Sequence, residues 1–75
     1  MMDEQFLSAR RSLGERVRQQ RKLLDISQEE MAFRANLDRT YISQIERGIS
    51  NPSLLVLLRL AVVLRVQFSK LVEGI

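Results

Sequence analysis

The stretch Ser27-Gln28-Glu29-Glu30-Met31-Ala32-Phe33-Arg34-Ala35-Asn36-Leu37-Asp38-Arg39-Thr40-Tyr41-Ile42-Ser43-Gln44-Ile45-Glu46-Arg47-Gly48 decides the fold. Ser27 followed by Glu30 has the form of a capping box. The hydroxyl accepts from the third amide while the carboxylate reaches back, so a helix opens here with Met31, Ala32 and Ala35 on its inner face. Asn36 tolerates the left-handed conformation that a tight helix end requires. Asp38 suits the N-cap of a following helix over 39–47, whose inner face is Ile42 and Ile45, and Gly48 closes it. Two short helices joined by about three residues, the second with polar side chains outward, form a helix-turn-helix in outline.

The pattern stays helical on either side. Upstream, Leu13, Val17 and Leu24 recur at helical spacing among charges. Ser12 with Glu15 offers a capping box at the start of that first helix, although residues from Asp3 onward could extend it backward. Downstream, Asn51-Pro52-Ser53 is a turn, with Ser53 or Asn51 capping a fourth helix over 54–64, and a short fifth helix covers 68–72. The expectation is an all-α, compact five-helix fold in one domain over 1–75, with 1–11 as an N-terminal extension. Its helix-turn-helix is formed by helices 2 and 3.

Composition excludes much chemistry. The 75 residues contain no cysteine and no histidine, which removes disulfides, thiolate sites and the commonest metal ligand and general base. No enzyme, metal or cofactor is expected. The start Met1-Met2-Asp3-Glu4-Gln5 is acidic and lacks the pattern of a signal peptide. The most apolar segment, Leu54 to Leu64, is interrupted by Arg59 and is too short to cross a bilayer. A cytoplasmic protein is therefore expected, without a membrane role. The net charge of +3 permits an anionic partner. Between Arg10 and Lys22, the cations Arg10, Arg11, Arg16, Arg18, Arg21 and Lys22 face the single acid Glu15, a run that would also suit an ordinary solvated helix face.

With Ile42 and Ile45 inward, Arg39, Thr40, Ser43 and Gln44 fall on the opposite face of the third helix. These side chains suit base edges in a major groove: arginine can grip guanine O6 and N7, glutamine can pair with adenine, and threonine offers a methyl to thymine.

The residues from Ile26 to Ala32, Tyr41 to Gly48 and Asn51 to Leu54 resemble the Cro/lambda-repressor (Xre-type) family. The string Asn36-Leu37-Asp38-Arg39-Thr40-Tyr41-Ile42-Ser43, with Ile45-Glu46-Arg47, is similar to controller proteins of restriction-modification systems. The resemblance covers about 13–72 and implies a five-helix DNA-binding domain whose third helix enters the major groove. It further implies that Gln28 bonds a phosphate, helped by a helix N-terminus, and that Tyr41, Arg47 and Asn51 meet the DNA backbone. Tyr41 could equally fill the core edge. Arg21 and Glu46 resemble a structural ion pair between the first and third helices. Ala32 matches the small residue that lets the two motif helices approach, while Asn36 departs from the glycine found in many members.

The fourth helix is apolar on nearly every side, from Leu54 to Leu64 around Arg59, and a small domain cannot easily cover all of it. Residues 53–75 are therefore also expected to supply a dimer surface, with Val62, Val66, Phe68, Leu71 and Val72 as its candidates. The expected partners are a second copy of the chain and a palindromic double-stranded DNA operator, with no small-molecule effector. The function this predicts is a sequence-specific transcription regulator, and the resemblance implies one of the restriction-modification controller kind. The alternative is an antitoxin-type or other protein-interaction module that binds DNA secondarily. An RNA-binding role is disfavoured by the scarcity of aromatic side chains.

Overall fold

The computed structural model describes residues 3–75, so the Met1-Met2 start of the acidic N-terminus lies outside the described residues. Five helices follow in order: α1 Glu4–Leu23, α2 Gln28–Ala35, α3 Arg39–Glu46, α4 Leu54–Leu64 and α5 Phe68–Val72. The cap side chains account for most of the starts. Ser27 Oγ accepts from the Glu30 amide at 3.0 Å, an Asp38 carboxylate oxygen from the Thr40 amide at 3.0 Å, and Ser53 Oγ from the Val56 amide at 3.2 Å. Only half of the Ser27 capping box forms, because the Glu30 carboxylate turns along its own helix to Arg34 Nε at 2.7 Å.

At its start, α1 takes the earlier of the two beginnings that the sequence leaves open. There is no separate extension before a cap at Ser12: Asp3 caps the Gln5 amide at 2.7 Å, and residues 4–11 are the first turns of a 20-residue helix. Ser12 already lies mid-helix, exposed to solvent. A carboxylate at the N-cap and Glu4 in the first turn both favour the earlier start through the helix dipole.

Asn36 ends α2 at φ 57°, and its amide closes onto the carbonyls of Ala32 and Phe33. The core collects side chains from every helix. Val17, Met31, Ile42, Leu60 and Leu71 are fully shielded, with Leu13, Ala35, Ile45, Leu57 and Leu64 packed around them. Of α4, the Leu57, Leu60, Ala61 and Leu64 side faces this core. Among the described residues no helix is long and apolar enough to cross a membrane.

Candidate nucleic-acid interface

The α2–α3 pair is joined by Asn36-Leu37-Asp38 and fixed by a backbone bond from the Leu37 amide to the Ala32 carbonyl at 2.8 Å. Ala32 is buried in the core cluster, where a larger side chain would overpack it. Ile42, Ile45 and Glu46 are the buried positions of α3. At about 100° per residue, Thr40, Ser43, Gln44 and Arg47 lie on the other side, with Arg39 at its edge. Arg39, Thr40 and Arg47 are exposed, whereas Ser43 and Gln44 are half-buried. Among the described residues, none of these five side chains is engaged in a hydrogen bond, so their donors and acceptors remain open to a ligand. Tyr41 is half-buried and packs against the core, and Asn51 is exposed in the turn before α4.

Behind this face lies a charged brace. Arg21 Nε donates to Glu46 Oε2 at 2.7 Å and Arg21 Nη2 to Glu46 Oε1 at 3.0 Å, a two-pronged contact from α1 to the end of α3. Arg21 Nη1 also donates to the Ile26 carbonyl at 2.9 Å. Gln28 Nε2 donates to Glu46 Oε1 at 3.1 Å. Glu46 therefore holds three segments together: α1, the α1–α2 loop through its arginine, and the first residue of α2. The Glu46 side chain is 3% exposed and that of Arg21 11%. The Glu46 hydrogen bond and charge outweigh this burial and raise the pKa of the guanidinium above its already high value. Stability from a raised pKa is lost only as pH climbs through it, so the brace stays intact across the neutral range.

Sequence reasoning missed two features of this scaffold. One is the place of Gln28 in the brace; its amide is directed at Glu46, and nothing in the local sequence marks that. The other is Gly14, buried where α1 crosses the end of α3. A Cβ there would overlap the Ile45 and Glu46 carbonyl oxygens. The signal was available: an interior glycine lowers helix propensity by about 1 kcal/mol, which invites a packing explanation. Of the residues expected at a subunit interface, Leu71 is fully buried in its own core and has no surface to offer. Val66, Phe68 and Val72 are half-buried against that core, and only Val62, at 78% exposure, stands clear.

A helix-turn-helix family model matches residues 17–71. The chain belongs to that family, of the Cro/lambda-repressor type. The family is non-enzymatic, in keeping with the missing cysteine and histidine. The chain is 55% identical over 42 residues to the control protein C.BamHI of Bacillus amyloliquefaciens, covering 55% of this chain and 52% of that one. It spans about half the length of the curated relatives it matches there. Among solved structures, the restriction-modification controller protein C.AhdI of Aeromonas hydrophila superimposes with a TM-score of 0.84 at 38% identity, covering 85% of this chain and 97% of that one. The P22 c2 repressor, in complex with a synthetic operator, superimposes with a TM-score of 0.77 at 33% identity, covering 84% and 96%. These likenesses establish the five-helix, lambda-repressor-like architecture.

Proposed function

We propose that this helix-turn-helix protein is a transcription regulator that reads a palindromic DNA operator as a homodimer, in the manner of a restriction-modification controller. The observation that carries the reading is the outward face of α3. The side chains of Arg39, Thr40, Ser43, Gln44 and Arg47 make no hydrogen bond within the described residues, while Glu46 on the same helix is fully committed to the fold. The base-reading set is Arg39, Thr40, Ser43 and Gln44. Arg39 and Thr40, exposed at the N-terminal end, are the deepest probes of the groove. Arg47 and Asn51 meet phosphates beyond the other end of α3, and Tyr41 supports the helix from the core edge. Gln28 contacts phosphate only through what its bond to Glu46 leaves free, the second side-chain N–H and the backbone amide at the start of α2.

The second copy is supported by α4. Leu55, Leu58 and Val62 are exposed and fall on one stripe turned away from the buried side of the helix, with exposed Leu54 at its edge. A contiguous apolar surface of this kind marks an interaction site, and self-association about a two-fold axis gives the symmetry a palindrome requires. The dimer surface is thereby drawn toward the outer face of α4 and away from α5. In vitro selection from random duplexes tests the reading: enrichment of an inverted repeat is expected. Enrichment of no sequence would overturn it.

A further inference from the structure

We propose that Arg11, Arg18 and Lys22 form a DNA-backbone contact along α1, continuous with the turn that follows α3; the inference rests on the DNA-binding reading above. The basic run of α1 separates into two groups. Arg10 lies over the Phe6 ring at 5.1 Å. Arg16 donates to the Lys70 and Glu73 carbonyls and ties α1 to α5. Arg21 belongs to the Glu46 brace. These three cations serve the fold.

Arg11, Arg18 and Lys22 are exposed, and among the described residues they have neither a hydrogen-bond nor an ion-pair partner. Their spacing of seven and four residues places them within roughly 40° of one another and over about 16 Å of helix. The stripe lies beside the recognition helix. Arg11 packs so closely on Gly48 that a Cβ there would come within 2.9 Å of the Arg11 Cα. One turn on, Gly14 lies against the last carbonyls of α3, and Arg21 grips Glu46. Arg18 projects about 40–60° from the side of α1 that bears Gly14 and Arg21. The cations thus begin next to Arg47 and pass across the C-terminal end of α3 toward the loop before Gln28. This is a row of exposed, unpartnered charges among the described residues, suited to a phosphate track, which requires charge without fixed geometry.

Glu15 lies in the same sector and is also exposed. If phosphates pass this face, that carboxylate opposes them, which supplies a test that a folding defect cannot imitate. Affinity for a selected operator duplex and for an unrelated duplex should be titrated from about 50 to 200 mM salt, for the wild type, the Arg11→Gln/Arg18→Gln/Lys22→Gln variant and Glu15→Gln. The triple variant should lose affinity equally on both duplexes. The loss across that salt range should shrink by about three- to fourfold for each contact removed. Glu15→Gln should bind both duplexes more tightly. An unchanged salt slope in the triple variant, or no gain in Glu15→Gln, would overturn the proposal. So would an equal change in slope for Arg59→Gln/Arg65→Gln, which removes charge from α4 and its end. A wild type with no preference between the duplexes would defeat the regulator reading alone, since the salt slopes still score the stripe.

Discussion

Arg39 opens α3 with an exposed side chain and no structural duty, so its substitution isolates recognition from stability. Arg39→Ala should weaken operator binding by roughly 1–3 kcal/mol and relax base preference, if the guanidinium grips a guanine with both prongs. Parallel titrations on operator and scrambled duplex check this; an equal loss on both would make it a phosphate contact. Glu46 is the opposite kind of residue. Removing it strands the Arg21 guanidinium and frees the Gln28 amide, so Glu46→Ala should destabilise the fold by roughly 3 kcal/mol. Thermal melts of Glu46→Ala, Arg21→Ala and the double variant should show a double loss well short of the sum. Strict additivity would show that the brace contributes nothing as a pair.

At the scale of the helices, the caps were legible because each is a local contract between a side chain and amides two or three residues on. Ser27, Asp38 and Ser53 announce α2, α3 and α4, and Asn36 announces the turn between the motif helices. Ser12 carried the same signal, but the cap at Asp3 starts α1 earlier, and a capping pattern inside a helix has no free amides to satisfy. The left-handed end of α4 at Arg65, φ 60°, carried no signal, since glycine or asparagine is the usual mark. The outward face of α3 was readable from the period of Ile42 and Ile45. The inward side of α4 was not, because a helix apolar all round has no period to read. The α1–α3 contact was also hidden, although it can be tested simply. Gly14→Ala should gain up to about 1 kcal/mol in helix propensity yet lose more by forcing a methyl into the α3 carbonyls. A net drop in melting temperature is expected. A rise would mean that α1 and α3 separate easily.

For the whole molecule, the proposed two-fold contact rests on the exposed apolar side chains of α4. Val66 and Phe68 pack against the core, so a charge at either would injure the fold before it reached any partner. Val62 is exposed, and Val62→Glu leaves the monomer's packing untouched. A two-fold axis near Val62 would bring the two introduced carboxylates close together in a desolvated contact. A cost of about 3 kcal/mol there corresponds to a hundredfold or so in the dimer Kd. Sedimentation equilibrium should show a wild-type dimer at micromolar concentration and a Val62→Glu monomer of 8.7 kDa with an unchanged melting profile. A wild-type monomer would dismiss the dimer, and a Val62→Glu dimer would place the interface elsewhere. The operator supplies the matching test. Half-sites read by two linked recognition helices sit about 34–36 Å apart, one turn of the duplex. Inserting about five base pairs between them rotates one half-site to the far face. A rigid dimer must then release one site or distort the DNA, so operator affinity should fall toward that of a single half-site. Undiminished binding would mean that the subunits bind independently.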